Sequence, residues 1–351
     1  MAYTTIDNPE LYFQVTTFVG NEVDDRAITL PGSEDMAPDM VWAAEYAGDY
    51  DGGKIWDTVR GATKHLFPGR TNTEATNANG LKSFTSDGFT VGTDAATNDD
   101  GVSNVAWCWK GGTTAVPSGG SITPSAVSFS ATSGFGVYKW TGTGANGNIA
   151  HGLGVAPKLL LIKNTEITSG WQVGSTTIGF TKVMYLNSTA VPDTSATVWN
   201  DTAPSATLFT VGSNNGSNKG SDVMICYAFA DAQGFSQVGS YVGNGSADGT
   251  FVYTGFRPRW VMLKNVGATE PWLLLDTIRD SNGNPTNAQL EANDSGAQSD
   301  ANAARSTDFL SNGFKLRYNN DALNGSGATY TYVTVAEAPF VNSNGVPCTA
   351  R

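Results

Sequence analysis

The hydrophobic pattern of this chain contains two stretches that do not alternate. In "LLLI" (159–162) and "WVML" (260–263) four bulky apolar residues stand in a row, so each predicts a strand buried on both faces. Both sit in nearly the same phrase, "GLGVAPKLLLIKN" (152–164) and "GFRPRWVMLKN" (255–265), and a worn third copy reads "MAPDMVWAAEY" (36–46). Pro157 and Pro258 are expected to start their strands, where a missing N–H costs no ladder bond. Elsewhere, short runs of Val, Ile, Thr, Tyr, Phe and Trp are separated by Asn-Gly or Asp-Gly pairs at 87–88, 146–147, 215–216, 244–245, 312–313 and 324–325. Such pairs favour two-residue hairpin turns, hence antiparallel pairing. Only 285–306 and 72–84 leave room for a helix; neither carries a good apolar stripe, and long loops are expected there.

The prolines give a ruler. Pro38, Pro157 and Pro258 are 119 and 101 residues apart; Gly20, Gly142 and Gly243 keep offsets of 122 and 101, and Phe89, Phe209 and Phe314 keep 120 and 105. Independent markers at similar spacing predict internal repeats. The expected organisation is a β module over 1–111, a Gly/Ser/Thr/Pro linker or added strand over 112–133, further β modules over 134–233 and 234–340, and a tail over 341–351. The expected fold class is all-β: three tandem antiparallel β-sandwich modules, jelly-roll-like, with long loops and little helix. The closing strands "NVAWCWK" (104–110), "DVMICYA" (222–228) and "ATYTYVT" (328–334) place Cys108 and Cys226 at matching positions, with Thr331 as the third. A cysteine exchanged for another small residue reads as packing.

A strand buried on both faces needs two covers. One face of Leu160, Ile162, Trp260, Met262 and their neighbours meets its own module; the other must meet a neighbouring module or another chain. Burial of each such side chain contributes roughly 1.5–3 kcal/mol, too much to leave wet. A homo-oligomer is expected on that basis, and a homotrimer is the state expected for the assembled protein.

Composition narrows the classes. Of 351 residues, 40% are apolar and 15% charged, with 41 glycines, and the formal charge is −12. An acidic chain with no basic stripe is not expected to bind nucleic acid. The opening "MAYTTIDNPELYF" has neither the basic start nor the apolar core of a secretory signal, and no apolar run is long enough for membrane insertion. Three cysteines, Cys108, Cys226 and Cys348, lack metal-type spacing.

Candidate chemistry is sparse. His65 and His151 are the two histidines, and no G-x-S-x-G elbow accompanies them. His151 could act as a base, but the other modules carry no counterpart. "DTVR" (57–60) and "DTIR" (276–279) pair Asp57 with Arg60 and Asp276 with Arg279, where module two has Ser175 and Ile178. Such a pair could hold an anion, but more often braces a turn, its carboxylate capping backbone N–H groups. No two carboxylates stand out as a glycosidase pair. Acidic loops at 49–53 and 97–101 raise calcium only as a suspicion. No catalytic residue, metal or cofactor is expected.

Several phrases taken together, "AYTTIDNPELYF" (2–13), "DTVRGATKHL" (57–66), "SFTSDGFTVG" (83–92), "NVAWCWK", "HGLGVAPKLLLIKN" and "GSYVGNGSADGTFVYTGFRPRWVMLKN" (239–265), with "DFLSNGFKLR" (308–317), resemble a widespread family of tailed-bacteriophage virion proteins common in marine phages. The resemblance implies a non-enzymatic structural protein of the virion, a tail fibre or other surface component. It brings no catalytic residues. The acidic stretch 21–50 departs from the family habit. The expected partners are self, other virion proteins of capsid or tail, and a host surface glycan or protein. Capsid decoration and a glycan-degrading tailspike are the alternatives.

Overall fold

The non-alternating runs become central strands. Leu159–Asn164 and Phe256–Asn265 each lie between two hydrogen-bonded neighbours, and Met40–Ala47 takes the same place in the first module. The computed structural model describes residues 3–47, 53–280, 284–294, 298 and 305–348, and is all-β with antiparallel ladders. The acidic loop over 49–52 lies outside the described residues.

One strand order occurs three times. The first large sheet runs Phe13–Val19, Ser103–Trp109, Met40–Ala47, Lys54–Asp57; the second contains Phe135–Thr141, Val223–Phe229, Leu159–Asn164, Gln172–Ser175; the third, Ser236–Val242, Thr329–Pro339, Phe256–Asn265, Trp272–Asp276. The register recurs as well. Met40 lies opposite Trp109 and Asp57, Leu159 opposite Phe229 and Ser175, and Trp260 opposite Val335 and Asp276. Within the segment 112–133, Ala126–Ser130 adds a strand to the edge of the second sheet.

The repeated glycines have a steric cause. A Cβ at Gly20, Gly142 or Gly243 would stand 1.9, 2.1 or 2.3 Å from a backbone oxygen, of Asp99, Lys219 and Gly325 respectively. The close approach serves a buried asparagine. Asn98, Asn218 and Asn324 are each fully buried, and their Oδ1 atoms accept from the backbone N–H that follows each glycine: Asn21, Thr143 and Asn244. Thus a buried amide closes the same corner in every module.

Period-two alternation sends neighbouring side chains to opposite faces. Outward, Leu160 and Ile162 join the cluster under Gly147–Ala150 and Leu208–Val211, while Val261 and Leu263 join the one under Phe251–Tyr253, Gly313–Leu316 and Thr307–Leu310. In the first module the lid is Arg26–Thr29, Gly88–Val91 and Leu81–Thr85. Inward, Trp42, Trp107 and Trp109, Leu159, Leu161 and Tyr227, and Trp260, Met262 and Val333 all belong to one cluster. At its centre Trp109 meets Trp260 with ring centroids 5.1 Å apart, Phe13 at 4.7 Å and Phe135 at 6.1 Å. The faces that prompted the homo-oligomer expectation are covered by sister modules of the same chain.

Four local expectations are corrected. Pro258 does not start its strand but lies within it, at a register shift on either side, where a missing ladder bond is tolerated. Of the six turn pairs, 87–88 and 312–313 close two-residue hairpins; 146–147, 244–245 and 324–325 join strands of different sheets, and Asn215-Gly216 opens a one-turn helix capped by Asn214. Parts of the expected loops are strands, at Leu81–Thr85 and Gln289–Glu291, because cross-strand pairing decides them and not local periodicity. Lastly, the ladder aligns Cys108 with Ala228 and Thr334, and Cys226 with Ala106 and Tyr332, so the two cysteines do not correspond. The shift is two residues, which preserves the face. Both thiols are free and buried in outward clusters, and burial raises their pKa values, so they pack and do not react.

Because one cluster draws on all three sheets, the chain should unfold as a unit. Calorimetry is expected to give a single transition with van't Hoff and calorimetric enthalpies equal, and Trp260→Ala should cost about 3–5 kcal/mol. Three resolved transitions would refute this.

Candidate functional site at the seams between sheets

The Asp–Arg pairs sit where one sheet meets the next. Each carboxylate ends the fourth strand of its sheet and caps the following turn: Asp57 Oδ1 accepts from the Arg60 N–H at 2.7 Å, and Asp276 Oδ1 from those of Ile278 and Arg279, both at 3.0 Å. The other oxygen takes Nε of Arg60 or of Arg279 at 2.6 Å, with all four side chains essentially buried. The arginines also donate to strand carbonyls, Ile55 and Leu274. The turn-bracing expectation describes this geometry, and the buried charges add a second role.

Each pair reaches the next module. Tyr227 Oη donates to Asp57 at 2.6 Å and accepts from Arg60 at 3.2 Å. Trp107, at the matching position of the first module, donates its indole N–H to Asp276 at 3.0 Å, and the Arg279 guanidinium lies 5.6 Å from its ring centre. At the remaining seam Ser175 and Thr177 meet Thr331 through hydroxyls at 3.0 and 2.9 Å. Contacts therefore run from module one to two, two to three and three to one. Burial works against the charge on Arg60, but Asp57, Tyr227 and Glu74 more than offset it, and its pKa is raised. Burial likewise raises the Tyr227 phenol.

A second set of fasteners went unread in the sequence, although the phrase "KN" ending both long strands carried it. Lys163 donates to the carbonyls of Thr71 and Ser169 at 3.1 and 2.8 Å, and Lys264 to that of Thr189 at 3.0 Å. Beside them Trp171 bonds the Phe67 carbonyl and Trp272 that of Tyr185. Each lysine–tryptophan couple thus grips a loop of the preceding module. Asn164 and Asn265 cap the next turns, accepting from Glu166 and Gly267 at 2.9 Å. Burial pushes both lysines down to about 8, with Glu270 partly opposing this at Lys264.

The surface clefts follow the seams. A cleft of about 440 Å³ between modules one and two is lined by Arg60, Lys64, Glu74, Lys139 and Glu166, and one of about 450 Å³ between modules two and three by Ile178, Lys182, Val191 and Val266. In the first, Glu74 is bonded by Lys64 at 2.9 Å and Arg60 at 3.4 Å. It serves as an acceptor between two cations and is not set up as a base. His151 is likewise structural: its Nδ1 accepts from the Leu153 N–H, so Nε2 carries the proton toward the Ser205 carbonyl at 3.1 Å, and burial lowers its pKa. His65 packs between the rings of Trp56 and Phe67. Among the described residues no group of three His, Cys, Asp or Glu side chains is arranged to hold a metal ion. Pro157, Leu160 and Ile162, with Pro258, Trp260 and Met262, are all buried.

The span that builds this ring of contacts matches one family model. It is described as Domain of unknown function (DUF7483) and covers residues 8–339. The chain belongs to that family. All three large sheets therefore fall inside one family domain, which ends with the last residue of the strand Thr329–Pro339. No curated protein matches the chain.

Two outcomes test the seams. Asp276→Asn should cost about 3–5 kcal/mol by leaving Arg279 buried and unpaired, while Asp276→Leu with Arg279→Met should cost less than the sum of the single changes. Lys163 holds its proton to 10.5 when free but only to about 8 when folded, so between these values the unfolded chain binds more protons. Its contribution is lost below pH 8 and recovers as pH rises to 10.5. In urea titrations, wild type should therefore gain on Lys163→Met between pH 8 and 10; an unchanged gap would rule out a desolvated amine.

Proposed function

We propose that the chain is a non-enzymatic structural protein of a bacteriophage particle, displayed on its surface as a tail-fibre-type or head-attached knob. The observation that supports this best is the deployment of its reactive groups. Asp57, Arg60, Asp276, Arg279, Lys163 and Lys264 are buried and bonded between modules, where they hold a scaffold together. The phrases that resemble tailed-phage virion proteins come from all three modules, and the family match spans the same stretch. Three sheets around one core make a compact body, which suits a knob better than a shaft. No sister protomer is needed to bury the inner faces, so self-association would use other surfaces.

Capsid decoration is the second reading, favoured by the same compactness. Quantitative mass spectrometry of gradient-purified particles with immunogold labelling separates the two. A few to a few dozen copies at the tail are expected, hundreds over the head would mean decoration, and absence from washed particles would overturn both.

A further inference from the structure

The three modules provide their own control for surface chemistry. The first strand of each outer sheet sends one residue inward, Ile28, Ile149 or Val252, opposite Phe89, Phe209 or Phe314. Its flanking residues take the other face: Ala27 and Thr29, exposed, in module one; Asn148 and Ala150 in module two, where residues 120–122 lie over the strand and Ala150 is buried; and Phe251 and Tyr253 in module three. Only the third module places aromatic rings there, and they are 42% and 55% exposed. Packing does not call for them, since the open corner of module one is built with Ala27 and Thr29.

The rings are held in place. A Cβ on Gly313 would come within 3.1 Å of the Phe251 ring, so that ring lies against bare backbone of the adjoining strand. Tyr253 Oη is 3.3 Å from that of Tyr3, which donates to the Gly255 carbonyl at 2.7 Å. Two residues along a strand separate the rings by roughly 6.5 Å. Polar groups adjoin them: Lys315 lies opposite Phe251 in the ladder and bonds the exposed Asp248 at 2.6 Å, with the half-exposed Arg317 next on the same face.

We propose that this face of the third module is a carbohydrate-binding platform. Phe251 and Tyr253 stack on successive pyranose rings, and Lys315, Asp248 and Arg317 take their hydroxyls. Area argues against a protein partner. An aromatic side chain offers roughly 150–250 Å², so two about half exposed present on the order of 200 Å², against about 800 Å² on each side of a stable protein interface. Sugar stacking needs only a few ring faces with hydrogen-bonding edges beside them. The inference rests on the surface-display reading only for the source of the glycan.

The test uses the purified full chain on an array of bacterial lipopolysaccharides and capsular polysaccharides, followed by titration of the glycan retained most strongly. Wild type should bind; Phe251→Ala and Tyr253→Ala should each weaken binding at least tenfold, Tyr253→Trp should retain it, and Thr29→Ala should leave it unchanged. All three positions are on the surface, and unchanged melting would confirm that each variant folds. Failure of wild type to bind any polysaccharide, or full binding by the Phe251→Ala/Tyr253→Ala double variant, would overturn the platform. Self-association abolished by the double variant would also overturn it, in favour of contact between copies. Particles labelled by antibody but with no glycan retained would defeat the platform alone, while glycan binding by a chain absent from particles would defeat only the virion placement.

Discussion

Everything in this molecule follows from sheets that are apolar on both faces. Each module has one small outer sheet, enough to cover one face of its large sheet. The remaining faces carry Trp42, Trp107, Trp109, Leu159, Leu161, Tyr227, Trp260 and Met262, and they can leave water only by meeting each other. Three modules in one chain satisfy that need without a second protomer, because covalent linkage keeps each partner at high local concentration. The aromatic knot around Trp109 and Trp260 is where the three solutions meet.

Packing three sheets face to face buries their edges too, and this explains the ionic groups. A strand end at the seam has backbone groups that water no longer reaches, and they must find partners inside. Asp57 and Asp276 cap the turns, Arg60 and Arg279 satisfy strand carbonyls, and Lys163 and Lys264 tie down the loops of the preceding module. Burying such charges is costly unless each is fully bonded. That cost makes the seams specific, since a slipped arrangement would strand a charge. The three seams are not copies. Module two replaces its Asp–Arg pair with Ser175 and Ile178, and a hydroxyl contact to Thr331 takes over.

With Asp57, Arg60, Asp276, Arg279, Lys163 and Lys264 committed to the interior, the remaining distinctive chemistry lies on the outer surface. The equivalent positions of the three outer sheets differ in character, and divergence among repeats is a physical comparison available within a single chain. Alanine, threonine and asparagine satisfy the fold at those positions. Phenylalanine and tyrosine put exposed rings there, and the proposed recognition face rests on that difference.

Strand identity, antiparallel pairing and the repeat itself were legible because they are local or periodic. "LLLI" and "WVML" announced two buried faces, the spacing of Pro38, Pro157 and Pro258 set the frame, and Asp57 with Arg60 read as a turn brace. The helix-or-loop reading of 72–84 and the alignment of Cys108 with Cys226 as equivalent positions went astray, since strand register depends on hydrogen-bonded neighbours distant in sequence. What covers the second face lay beyond the sequence altogether. Apolar residues declare that they must be buried but not against what, because the hydrophobic effect has no direction. Only the tertiary arrangement decided that sister modules close the core, that Tyr227 and Trp107 receive the buried carboxylates, and that Phe251 and Tyr253 remain in water.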